Sequence, residues 1–201
     1  MMRRLVLLAA GVFVLAACGP VKNQYVRKDY AQQPAQQVKR LVVVTQPLPA
    51  GIPQVGELWS LIARQWVNQN RNYLVKSNLA LPERPGDVSF KGLCVEGLEG
   101  VLWLEPDVKL VDGGKGVESS VKARLVRCSD GQDEWSAEAA GSWGSEDELY
   151  RERIAEYVGK LGEEVQPHVV PTYKLLKATL DTLPNPQLSD ADVEEKIELG
   201  E

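Results

Sequence analysis

Residues 38–75 read VKRLVVVTQPLPAGIPQVGELWSLIARQWVNQNRNYLV, and this stretch decides the fold. Residues 38–45 are rich in β-branched apolar side chains, which predicts a strand buried on both faces. The three prolines and one glycine at 46–53 predict a loop. A helix is predicted from about Val55, because apolar residues recur at steps of three and four. Residues 73–75 predict a second strand, and a strand-helix-strand unit pairs its strands in parallel with a right-handed crossover.

The second half of the chain predicts an antiparallel meander. Residues 100–105 are the most apolar strand there, and further strands separated by glycine-containing turns are predicted over residues 108–111, 117–128 and 133–143. Asp130 and Gly131 form a favoured hairpin pair.

Helices are predicted after the meander. Ser145 and Glu148 have the spacing of a capping box that begins a helix, Pro167 and Pro171 interrupt the helical pattern, and a helix resumes over 173–183. The predicted fold class is therefore α/β (α+β), with a mixed sheet that starts as β-α-β, continues as a three-strand antiparallel meander and carries the C-terminal helices.

The amino terminus predicts export. Two arginines precede an apolar run that is shorter than the roughly 20 residues of a membrane-spanning helix, which is the layout of a signal peptide over residues 1–17. The sequence LAAC at 15–18 resembles the lipobox of bacterial lipoproteins, which implies that Cys18 is acylated and anchors the chain. An ordinary cleaved signal is the alternative. Gly19 in place of a retention aspartate favours the outer membrane, facing the periplasm.

Three further segments are predicted behind the signal. Residues 18–37 are polar and rich in glutamine, which predicts a lipidated flexible tether. Residues 38–183 form a single α/β domain. Residues 184–201 form an acidic tail that is either a marginal helix or disordered.

The net charge of the chain is −5, so the composition does not favour binding to nucleic acid or to an anionic lipid surface. Export would allow Cys94 and Cys128 to form a disulfide, with two separate buried thiols as the alternative. We expect no metal site, because His168 is the only histidine.

The search for catalytic chemistry yields little. The sequence DGGKG at 112–116 lacks the Ser or Thr and the helix that follow a phosphate loop. His168 has no serine in a nucleophile-elbow context, and the carboxylates at 105, 107, 133 and 134 are more typical of strand ends and turns. We expect no enzyme activity and no cofactor. Trp143, within GSWG at 141–144, is the predicted partner surface.

Two resemblances bear on function. The stretches VKRLVVVTQPLP (38–49), VGELWSLIARQWVNQNR (55–71), EGLEGVLWLEP (96–106) and AAGSWGSEDE (139–148) resemble a family of uncharacterised lipoproteins of myxobacteria and spirochaetes. More distantly, the order of elements is similar to the α/β domain of the curli secretion lipoprotein, of the lipoprotein activators of penicillin-binding proteins, and of the Tol propeller protein. Neither resemblance carries functional residues to this chain.

The expected function is a non-enzymatic, lipid-anchored component that docks on a cell-envelope assembly. The alternative is a carrier of a small ligand or lipid. Docking predicts an exposed apolar patch on a filled domain, whereas a carrier predicts a lined apolar cavity. The sequence fixes neither the protein partner nor the oligomeric state.

Overall fold

The computed structural model describes residues 19–34, 37–48, 52–82 and 92–199. The described residues form six strands: β1 Val21–Val26, β2 Arg40–Thr45, β3 Leu74–Ala80, β4 Gly100–Val111, β5 Gly116–Arg127 and β6 Asp133–Gly144. They also form four α-helices: α1 Pro53–Asn70, α2 Arg151–Leu161, α3 Gln166–Leu180 and α4 Asp190–Glu198.

The six strands form one mixed sheet in the order β1-β6-β5-β4-β2-β3. Strand β2 lies in the middle of the parallel part and pairs with both β3 and β4. Strands β4, β5, β6 and β1 follow one another antiparallel. The predicted fold class is therefore confirmed, including the parallel β2-α1-β3 unit and the three-strand meander.

The main core lies between the sheet and helices α1 and α3. Trp59 and Ile62 of α1, Leu175 of α3 and Trp135 of β6 are all fully or almost fully buried in this layer. The stripe of apolar residues at helical spacing in α1 thus faces the sheet, as its periodicity predicted.

A smaller cluster covers the opposite face of the sheet. Val42 and Val44 of β2 and Val101 and Trp103 of β4 are buried there under part of the segment 92–99. Because Leu41 and Val43 point into the main core while Val42 and Val44 point into this cluster, β2 is apolar on both faces, which explains its continuous run of valines.

The predicted tether is wrong over most of its length. Residues Val21–Val26 form strand β1, which pairs with β6 at the edge of the sheet, and Tyr30 is buried behind it. The side chains of β1 are mostly polar because this edge strand is largely exposed, so it lacks the apolar signal by which strands are recognised. Its backbone hydrogen bonds to β6 hold it in place.

Two helix boundaries also differ from prediction. The Ser145 hydroxyl donates to the Gly114 carbonyl instead of capping a helix, and Asp147 accepts the hydrogen bond from the Leu149 N–H. Helix α3 begins before Pro167 and continues through Pro171. A proline in the first helical turn removes no intrahelical hydrogen bond, and burial of the apolar side chains of α3 keeps the helix continuous past the second proline.

The predicted domain boundary at residue 183 is wrong, whereas the helix that was one alternative for the acidic tail is confirmed as α4. Helix α4 lies beside β3, and its acidic residues bind basic residues of β2 and β3. Asp192 accepts from Lys39 and Arg40 at 2.8 Å each, and Glu195 pairs with Arg40 and Lys76. The acidic composition that predicted a solvated tail instead supplies the ion pairs that dock it.

Candidate functional site

The residues singled out in the sequence lie in three separate places. Cys18 lies outside the described residues. Cys94 and Cys128 form a disulfide, with Cα atoms 5.6 Å apart, beside the smaller cluster. Trp143 is partly buried near the end of β6, and its ring covers Gly141 so closely that a Cβ on Gly141 would lie 2.3 Å from it. Its role as a partner surface stays a prediction.

Three of the four carboxylates considered for catalysis are engaged elsewhere, and the fourth, Asp107, is exposed on β4. Glu105 accepts a hydrogen bond from the Trp103 indole, and Asp133 accepts from Arg124. Glu134 is fully buried, 3.3 Å from Arg27 and 3.4 Å from Arg127. Burial raises the pKa of Glu134, whereas the two guanidinium groups oppose that effect. This cluster ties the end of β1 to the sheet.

An open groove lies where β2 and β3 end and α1 begins. It encloses about 380 Å³, and Pro47, Leu48, Ile52, Leu79 and Leu81 contribute much of its apolar lining. Leu79 is 42 % exposed, which is unusual for a leucine on a strand next to the core. In α/β sheets, ligands bind at the carboxyl ends of parallel strands, and the groove occupies that position.

A second apolar pocket of about 280 Å³ adjoins the first. Leu48 and Ile52 line both pockets, and the remaining lining of the second consists of Val55, Val108, Lys109, Leu110 and His168. His168 is only 4 % exposed, and neither ring nitrogen has a hydrogen-bond partner among the described residues. Burial lowers the pKa of His168, which favours the neutral imidazole, and both ring nitrogens lie beneath the surface of the pocket.

This pair of pockets, which we call the carboxyl-edge groove, has mainly apolar walls. Its lining also includes Glu57, Lys109 and His168. No cluster of histidine, cysteine and acidic residues suited to a metal ion occurs within the described part of the chain. The groove can therefore hold an apolar group that carries one polar atom.

Comparison with known proteins gives similarity at the level of solved structures only. The chain is similar to the PelC dodecamer subunit of Paraburkholderia phytofirmans, with 15% identity over 72% of this chain and 94% of that one, at a TM-score of 0.43. It is also similar to lipoprotein GNA1162 of Neisseria meningitidis, with 16% identity over 61% of this chain and 96% of that one, at a TM-score of 0.40. Identities of this size assign no function.

No protein-family model matches the chain. No curated protein matches it either. Solved structures that resemble the chain thus include a lipoprotein, while the resemblance to myxobacterial and spirochaetal lipoproteins stays a prediction. None of the helices in the described ranges is both long enough and apolar enough to cross a bilayer.

Sequence reasoning missed the carboxyl-edge groove. His168 lacks a nucleophile in its sequence context, and its neighbours in the sequence do not reveal that α3 places it beside Val108 and Leu110. The one available signal was the proline-rich loop at 46–53, since loops after parallel strands often form binding sites.

Proposed function

We propose that this protein is a non-enzymatic, lipid-anchored accessory component of a bacterial cell-envelope assembly and that it docks a partner in the carboxyl-edge groove. The LAAC sequence at 15–18 would provide the anchor, and Gly19 favours the outer membrane with the domain in the periplasm. The observation that carries the docking proposal is an open apolar groove on a domain whose core is filled.

The chemistry of the groove defines the partner. Leu79 is 42 % exposed and lines the groove together with Leu48 and Ile52. An apolar segment of an envelope protein would cover Leu79. A polar group on that segment would meet Glu57 or Lys109, which also line the groove, or would partner His168 once its buried ring nitrogens are exposed.

A carrier of a small apolar ligand is the second candidate, and the unpartnered His168 favours it. A pocket of about 280 Å³ could receive part of such a molecule with its polar atom on the imidazole. Because the pocket is open to solvent, much of a larger lipid would remain exposed. We therefore favour docking over the carrier function.

Photo-crosslinking in cells tests the docking proposal. A photoreactive residue at Leu79 should give a discrete adduct with an envelope protein, and Cys18→Ser should weaken that adduct because the protein is no longer held at the membrane. The matched control is the same residue at Lys122, which is exposed on β5, three strands away from Leu79 on β3. Identical adducts from positions 79 and 122, or none from position 79, would contradict docking.

A separate measurement tests the carrier alternative. Mass spectrometry of the natively purified protein should then detect a co-purifying apolar compound, and His168→Leu should reduce its occupancy severalfold. Finding no bound compound in either form would count against a carrier and leave docking unaffected.

A further inference from the structure

The start of β1 shows where the anchor must lie. The Ala140 N–H donates to the Pro20 carbonyl, and Val21 is paired with Ala139. Because β1 is antiparallel to β6, the chain preceding Val21 runs towards the end of β6. That end, together with the turn between β4 and β5, forms a surface made of residues 110–116 and 143–149, which we call the distal end of the meander.

The reach of the chain is short. Cys18 is two residues from Pro20 in the sequence, and an extended chain of two residues spans at most about 7 Å. Gly144 ends β6 four residues beyond Ala140, which corresponds to about 13 Å along a strand. An acylated Cys18 would therefore hold the distal end of the meander close to the membrane surface.

The same end presents apolar side chains to solvent. Leu149 is 90 % exposed, the largest value among the big apolar side chains of the described residues, and Leu110 is 45 % exposed. Leu149 is held in this position, since Asp147 accepts a hydrogen bond from its N–H and is itself paired with Lys174 at 2.7 Å. Trp143, on the same end, belongs to the residue type that favours membrane interfaces.

This end is acidic. Residues 110–116 and 143–149 include one basic residue, Lys115, and four acidic residues, Asp112, Glu146, Asp147 and Glu148. Such a surface gains no attraction from the negative charge of anionic lipid. The exposed leucines are therefore the groups by which this end would contact a bilayer, which is the nearest apolar phase to an acylated cysteine.

We propose that the distal end of the meander rests on the lipid bilayer, with Leu149 and Leu110 inserted at the boundary between headgroups and acyl chains. This inference rests on the anchor of the proposed function and adds an orientation to it. The sheet stands with the distal end against the membrane, and helix α4, beside the amino end of β2, points away from it. Since insertion is apolar, it needs neither anionic lipid nor low salt.

The test uses the lipidated protein in phosphatidylcholine vesicles. An environment-sensitive fluorophore is attached to Leu149→Cys or Leu110→Cys, with the Cys94–Cys128 disulfide intact. Ile197→Cys is the matched control, because Ile197 is a similarly exposed apolar residue, on α4 at the opposite end of the sheet. We expect spin-labelled lipid to reduce the fluorescence at positions 149 and 110 at least twofold and to leave the fluorescence at position 197 unchanged. The quenching should be the same at low and high salt.

The outcomes separate the two proposals. If the protein does not float with the vesicles, the proposed anchor is contradicted, and this inference is contradicted with it. Flotation with equal quenching at positions 149 and 197 would overturn the membrane contact alone. Position 149 could instead be protected from an aqueous quencher without being quenched by spin-labelled lipid. That result would show that a second copy of the chain covers the distal end, and it would also overturn the membrane contact.

Discussion

Arg40 donates a hydrogen bond from Nη2 to Oδ1 of Asp192 at 2.8 Å, which joins the first residue of β2 to helix α4 across most of the chain. Asp192 is almost fully buried, and Lys39 binds its other oxygen. This carboxylate also caps its own helix, since it accepts from the backbone N–H and hydroxyl of Ser189. Asp192 is therefore both the partner of the N-cap residue Ser189 in the capping box of α4 and the residue that docks this helix.

Asp192→Asn should loosen α4. The amide removes the charge that Lys39 and Arg40 share, and hydrogen bonds to charged groups contribute about 1.5–3 kcal/mol each, so we expect the free energy of unfolding to fall by about 2 kcal/mol. Hydrogen exchange of α4 amides should rise in parallel. Asp190→Asn, in the first turn of the same helix but exposed, is the control and should cost well under 1 kcal/mol. Equal losses in the two variants would contradict the docking role.

The same ion pairs predict sensitivity to acid. Lys39, with Ser189 and Arg40, holds the pKa of Asp192 below its usual range, and Lys76, with Arg40, does the same for Glu195. Both pKa values are lower in the folded chain than in the unfolded chain. The two carboxylates therefore contribute fully to the free energy of unfolding above about pH 5, and this contribution is lost as the pH falls through the folded pKa values. Urea unfolding at pH 7 and pH 3 should show the loss, and Asp192→Asn should reduce it.

His168→Leu should not destabilise the protein and should remove part of its pH dependence. Burial lowers the pKa of His168 in the folded chain, so the unfolded chain takes up this proton first, and stability is lost as the pH falls from about 6.5 towards the folded pKa. Leucine has no buried nitrogen left without a partner. Thermal unfolding at pH 8 and pH 5 checks this, and a large loss of stability at pH 8 would contradict an unpartnered imidazole.

Gly100→Ala should destabilise the sheet where β2 meets β4. A Cβ at this position would lie 2.5 Å from Cγ1 of Val38 and 2.9 Å from the carbonyl oxygen of Val126, and the backbone oxygen cannot rotate away. We expect a loss of about 1–3 kcal/mol in the free energy of unfolding. Gly159→Ala, in α2 with open space around it, should instead stabilise by up to about 1 kcal/mol. Denaturant titration of the two variants compares these signs directly.

Replacing Cys94 and Cys128 by serine should cost about 3–4 kcal/mol, because the bond closes a loop between residues 34 apart in sequence. Wild-type protein kept in reductant should unfold at the same denaturant concentration as the double variant. Two titratable thiols in the unreduced wild-type protein would contradict the bond.

The parts of the fold that were predictable are those with a strong local pattern. The valines of β2 and the apolar stripe of α1 identify their elements because burial on both faces, or on one helical face, leaves a clear period in the sequence. Strand β1 and helix α4 have no such period. Their positions depend on partners far away in the chain, namely the backbone of β6 for β1 and the basic residues Lys39 and Arg40 for α4.

The same distinction applies to function. The sequence alone determined the predicted anchor at Cys18 and the pairing candidates Cys94 and Cys128, because signal peptides and cysteines are recognised from local composition. Only the tertiary structure decided that His168 lines an apolar groove and that β1 begins beside the last residues of β6. Those relationships join segments more than a hundred residues apart, and packing of the helices on the sheet, together with strand register, brings them into contact.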